Sequence, residues 1–194
     1  SFMEELFVAH ARTDKRPPKK KSRSSEMPDR QLPHDLDAEL GVLGSILLKP
    51  DSCDDIASLV STDDFYDQGH GVLFSHMQEM QSSGKRIDIT LLVNSLKKAG
   101  EFDSIGGAAF LARVGQAVPN AAHVAYYAKI VREKSVIRSV IDASTDILSE
   151  AYSEQKDAKD LLNHAEQMMF AVMNNRTFSN VANISDVMLK AMER

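Results

Sequence analysis

The sequence predicts an all-α protein, a globular multi-helix head followed by an antiparallel helical hairpin. Three observations carry this. Apolar residues recur at spacings of three and four along most of the chain, the period of one helix face. No stretch of any length alternates apolar with polar residues as a half-buried strand would. The segment 120–152 contains neither Gly nor Pro and carries apolar residues throughout, so it reads as one long helix.

The elements follow in order. Leu36, Leu40, Leu43 and Leu47 share one face and predict a helix over 36–48. Asp35 stands at its start, and Asp37 and Glu39 sit in the first turn, where the helix dipole favours acids. Pro50 ends it. Gly41 and Gly44 cost roughly 1 kcal/mol each in a helix interior relative to Ala, so a second helix is expected to approach closely there. A short helix over 53–60 carries Ile56, Leu59 and Val60. Ser61 and Thr62, before Asp63 and Asp64, are a further start signal. A helix over 70–81 places Leu73, Met77 and Met80 on one face. Asp88 caps a helix bearing Ile89, Leu92, Val93 and Leu96, and Gly100 closes it. Gly106 and Gly107 precede a helix through Phe110, Leu111 and Val114.

Pro119 and Asn120 open the long segment, which breaks at 153–157. The next helix, over 158–174, has Ala158, Leu161, Ala165, Met168 and Val172 at spacings of three and four. A long helix, a short turn and a second amphipathic helix fold back most simply as an antiparallel hairpin. Residues 175–183 are polar, and Ile184, Val187 and Met188 then begin another apolar stripe. The chain stops inside it, which predicts a piece of a longer protein. The expected division is a basic tail (1–31), the head (32–118), the hairpin (119–174), and a linker with the start of a further helix (175–194). Ser1 and Phe2 precede a Met3 that reads as a native start, so they are expected to be foreign to the natural chain.

Composition narrows the function. At 194 residues, 43% hydrophobic and 26% charged, the chain has the make-up of an ordinary globular protein. No apolar run approaches the ~20 residues of a membrane helix, so no membrane is expected. One cysteine, Cys53, excludes an internal disulfide and fits a reducing, cytoplasmic setting. Charge is uneven: residues 12–25 hold seven basic side chains and Asp14, a local +6, which leaves −11 on the remainder of a chain whose net charge is −5. The basic stretch lacks hydrophobic periodicity and reads as a disordered tail. A DNA-binding helical module acting through that tail is therefore the second functional reading, with salt-sensitive affinity as its signature.

Catalytic patterns are missing. A phosphate-cradling loop needs G-x-x-x-x-G-K-[ST], and the one Gly-Lys pair, Gly84-Lys85, is followed by Arg86. The six histidines (His10, His34, His70, His76, His123 and His164) form no H-E-x-x-H, and read as surface or capping residues. No G-x-S-x-G elbow occurs, and Cys53 shows no sign of activation. The pairs Asp54–Asp55 and Asp63–Asp64 are accounted for by helix capping. No catalytic, cofactor-binding or metal-binding residue is assigned.

Six blocks, in order over 32–173, resemble the N-terminal domain of DnaB-type bacterial replicative DNA helicases. They are the run from Leu32-Pro33-His34-Asp35 to Leu48, Asp64-Phe65-Tyr66 with His70 and Phe74, Asp88-Ile89-Thr90-Leu91, Gly106 to Leu111, Pro119-Asn120-Ala121-Ala122, and Tyr127 to Lys134. The tail before Leu32 is longer than the family pattern, and the ATPase domain is absent. The resemblance implies a collar domain of a ring-shaped helicase at the bacterial replication fork. Its head and hairpin would pair into dimers, with three dimers making a hexamer. Its hairpin would receive a DnaG-type primase. DNA would be engaged mainly by the whole helicase, and ATP and Mg would belong to the missing motor domain. The resemblance also matches Ile141, Ile147 and Leu161 to hairpin positions associated with primase response, although each equally fits the hydrophobic seam of the hairpin.

Overall fold

The computed structural model describes residues 31–153 and 155–174. Every regular element among them is helical: α1 (Leu36–Leu48), α2 (Ser52–Ala57), a 3-10 turn (Thr62–Asp64), α3 (Gln68–Ser82), α4 (Ile89–Ala99), α5 (Gly107–Gln116), α6 (Val124–Ser153) and α7 (158–174). The expectations for the basic tail over 1–30, and for the linker and helix start over 175–194, lie outside the described residues.

α1 is the centre of the head, packed on α3, α5 and α6. Its Val42, Leu43 and Ile46 are fully buried with Leu73, Phe74 and Met77 of α3, Leu92 and Leu96 of α4, and Val114 of α5. Each such side chain contributes about 1.5–3 kcal/mol on leaving water. The two α1 glycines do what the sequence predicts. A Cβ on Gly41 would lie 2.8 Å from the Tyr127 ring, and one on Gly44 would lie 2.7 Å from the Val114 carbonyl oxygen. Close approach at that range, of a ring at Gly41 and of backbone at Gly44, explains glycine despite its helix cost.

The caps are local and legible. Asp35 Oδ1 accepts from the Ala38 amide at 2.9 Å, and Asp88 Oδ1 from the Leu91 amide at 2.9 Å. Gly100, at φ +75°, ends α4 in the left-handed conformation. Three boundaries differ from the sequence reading. α2 stops at Ala57, because the Leu59 and Val60 amides both turn back to the Ile56 carbonyl. α3 starts two residues early, at Gln68, because Asp67 caps it through the His70 amide. α6 starts at Val124 because Asn120 Oδ1 takes the Ala122 amide and holds a turn there.

Candidate protein-interaction site

The first half of α6 is fixed to the head by a buried polar junction. Asp64, 4% exposed, is its hub. Asp64 Oδ2 accepts from the Ser61 amide at 2.8 Å, as a capping carboxylate should. Its Oδ1 accepts from Arg132 Nη1 and from Ser135 Oγ, each at 2.6 Å, both from α6. One turn further on, Arg138 donates to the Asp64 carbonyl at 2.6 Å and to the Pro33 carbonyl at 2.8 Å. The same guanidinium lies 5.7 Å from the centre of the Tyr66 ring, whose other neighbour, His34, stacks at 4.2 Å. A planar, five-donor cation suits this double carbonyl contact better than lysine would.

A second network lies beneath. Glu39 is 1% exposed, and its carboxylate accepts from the Tyr66 amide at 2.7 Å and the Asp67 amide at 3.3 Å. It also faces His70 Nδ1 at 2.6 Å. His70 stacks on Phe110. His76 bridges Ser95 Oγ at 2.7 Å and Glu101 Oε2 at 2.8 Å. The reading of the histidines as surface or capping residues is therefore corrected for His70 and His76: both are buried and hold elements together. Ser–His–Glu order alone is no hydrolytic site. Ser95 lies inside α4, where the following amides bond one turn back and leave no oxyanion donor.

Asp64 corrects the sequence reading in the same way. It caps locally, as expected, and is also a buried acceptor for α6. Cys53 is buried, and burial, then Asp54, pushes its thiol up to about 11, so no reactive thiolate is present near neutral pH. Among the described residues no group of three or more His, Cys, Asp or Glu is placed to hold a metal ion, and no helix is long and apolar enough to cross a membrane.

Beyond Ala143 no described residue of α6 is buried. Here α6 turns into α7, and Glu150 ties the tip. It is ion-paired with Lys156 and accepts from His164 Nδ1 at 2.6 Å. The Lys156 and then the His164 contacts hold its carboxyl below the usual carboxylate range. The outer face is apolar. Ile137, Val140 and Leu148 are 46%, 40% and 45% exposed, and Leu162 and Phe170 on α7 are 70% and 61% exposed. Of the hairpin positions singled out, Ile141, Ile147 and Leu161 are each half-buried. Ile141 and Ile147 are six residues apart, about 240° round a helix at 3.6 residues per turn, so they do not share a face.

A helical head joined by a buried junction to the first helix of a hairpin defines a head-and-hairpin helical domain. The DnaB-like helicase N-terminal domain family matches residues 31–133. The replicative DNA helicase DnaB of Pasteurella multocida is 35% identical over 84% of this chain, which spans 35% of that relative. The crystal structure of the N-terminal domain of DnaB helicase from Mycobacterium tuberculosis matches 73% of this chain and 99% of its own, with a TM-score of 0.69 and 31% identity. An N-terminal domain of DnaB helicase from Helicobacter pylori, described with its interactions with primase, shares the fold at a TM-score of 0.52 and 18% identity, over 60% of this chain and 90% of its own. The chain belongs to the DnaB-like helicase N-terminal domain family, and it spans about a third of the length of the curated relatives it matches.

Proposed function

We propose that this chain is the N-terminal collar of a ring-shaped replicative DNA helicase and acts in DNA replication by assembly and docking, without catalysis of its own. The observation that carries the reading is the division of α6. Its first half is anchored in the head through Asp64, while its second half and α7 leave an apolar face in water. Such a face is a contact surface awaiting a partner. The partners proposed are further copies of the chain, as dimers and as a trimer of dimers, and a DnaG-type primase. The Helicobacter pylori domain described with primase supports the second by likeness of fold. Ile141, Ile147 and Leu161 are proposed to shape the hairpin that primase reads. ATP with Mg is assigned to the part of the helicase beyond this chain, and so is most DNA contact. The setting is the bacterial cytoplasm, at the replication fork. The division into tail (1–31), head (32–118), hairpin (119–174) and linker (175–194) belongs to the same reading.

Calorimetric titration with the C-terminal domain of the cognate primase, with light scattering on the same samples, tests it. Saturable binding to a dimer or larger species is expected. A chain that stays monomeric at high concentration and binds no primase would remove the collar reading. The +6 tail keeps one alternative in play, direct DNA binding. It requires that deleting residues 1–30 abolish binding to DNA at low salt.

A further inference from the structure

α6 is one unbroken helix of 30 residues, but its sequence is uneven. Over 135–147, eleven of the thirteen residues are Ser, Thr, Val, Ile or Asp, all weaker helix formers, and only Arg138 and Ala143 are good ones. Over the ten residues before, 125–134, six are Ala, Lys, Arg or Glu. Asp142 and Asp146 stand four apart and are both exposed, so like charges meet on one face and weaken the helix there. Two hydroxyls bond back one turn. Ser139 Oγ donates to the Ser135 carbonyl at 3.1 Å, and Thr145 Oγ1 to the Ile141 carbonyl at 2.8 Å. Such back-bonding is a recognised cause of helix bending. No proline or glycine breaks the stretch, so it can bend without coming apart.

The weak stretch falls where the support of α6 changes hands. Arg138 makes the last hydrogen bonds from α6 to the head among the described residues, to the Pro33 and Asp64 carbonyls. From Glu150 onward the helix is tied to the other side of the hairpin, through Lys156 and His164. Of residues 139–147 only Ala143 is buried, so packing does little there to offset the weak propensity.

We propose that α6 carries a hinge between Ser139 and Ile147, with Arg138 as its fixed point on the head and the Glu150 ties holding the far side together. The end of the hairpin swings on it as a unit. On the reading of the hairpin as the docking element, the hinge offers the outer face around Leu148 and Leu162 to a partner over a range of bearings, while the head stays still.

Pulsed electron spin resonance on the whole chain tests this, with pairs of nitroxide labels on cysteines placed at exposed positions and labelled chains diluted in unlabelled ones. Cys53 is buried with its thiol pushed up, so it takes no label near neutral pH. One pair lies within the head (Ser75→Cys with Lys98→Cys), one within the hairpin (Tyr152→Cys with Gln167→Cys), and one spans the two (Ser75→Cys with Asn163→Cys). The spanning pair should give a distance distribution about twofold or more wider than either internal pair, as a hinge between two rigid parts requires. Thr145→Ala with Asp146→Lys removes one back-bond and turns the like-charge pair with Asp142 into an acid–base pair at the stabilising spacing. Both positions are exposed, so this variant is expected to melt no lower than the parent and to narrow the spanning distribution. A spanning distribution as narrow as the internal ones would overturn the proposal. Equal widening of the hairpin pair would mean that the tip unfolds and does not swing, and the proposal would fall. A wide spanning distribution that ignores the variant would place the motion outside 139–147, with the same result. The measurement needs no partner, so the hinge and the docking reading stand or fail separately.

Discussion

Two carboxylates, Glu39 and Asp64, show how single residues hold distant segments together, Glu39 within the head and Asp64 between the head and α6. Each is buried, and each is an acceptor for several donors at once: Glu39 for the Tyr66 and Asp67 amides and His70, Asp64 for Ser61, Arg132 and Ser135. A buried carboxylate is costly to desolvate and is held by its donors, and removing it leaves those donors desolvated without their partner. Asp64→Ala is therefore expected to lower stability by about 3 kcal/mol, read as a shift of the urea midpoint at unchanged slope. Glu39→Gln keeps the volume but turns an amide donor toward other donors, and about 2 kcal/mol of loss is expected. If either variant melts with the parent, the networks are ornamental. The sequence showed these residues only as helix-start acids. Apart from Ser61, their partners lie 27 to 71 positions away, and no local pattern encodes a pairing over that distance. His70 and His76 were misread for the same reason, since the spacing of a histidine says nothing about a carboxylate on another helix.

Elements, by contrast, were legible where a side chain acts within one turn. Asp35, Asp88 and Gly100 set helix ends through contacts at most a few residues away, and the glycines of α1 announced a close neighbour. The sequence did not say which neighbour. Gly44 turns out to meet the backbone of α5, whereas Gly41 meets the side chain of Tyr127. Backbone yields less than a ring. Gly44→Ala is expected to cost about 1–3 kcal/mol and more than Gly41→Ala, measured by thermal melting of the pair. The hairpin tip is a second test at this scale. Contacts with Lys156 and His164 lower the Glu150 carboxyl below its ordinary range, so they stabilise the folded tip while Glu150 is ionised. A depressed carboxylate contributes stability above its unfolded pKa, near 4.3, and loses it as pH falls through the lower folded value. Amide exchange over 146–166 should therefore accelerate as pH drops below about 4, after correction for intrinsic exchange. Glu150→Gln should show the faster rate at neutral pH and no further step. A tip whose opening ignores both pH and that substitution would mean the ties are idle in solution.

At the scale of the whole molecule, α6 belongs to two environments, and that asymmetry makes the last prediction. Ala128, Val131 and Ser135 are buried toward the head, and the Asp64 junction adds charged hydrogen bonds there. After Ala143 no described residue of the helix is buried, the tip is tied to the α7 side through Glu150, and apolar side chains of both helices face water. A helix is held by its buried face far more than by its own propensity. Hydrogen exchange should therefore rise steeply along α6, with 124–143 opening only when the head unfolds and 144–153, with α7, opening locally. Self-association would reverse that gradient, because a partner covering Ile137, Val140, Leu148 and Phe170 binds the closed hairpin and not the open one. Exchange over 144–174 should then slow as protein concentration rises, while exchange over 36–48 stays constant. Leu148→Asp, which places a charge on the outer face without entering the core, should abolish the concentration dependence and leave the head's exchange untouched. Exchange over the hairpin that is equal at low and high concentration, in a chain that scatters as a dimer, would place the contact between copies on the head and leave the hairpin face for a different partner.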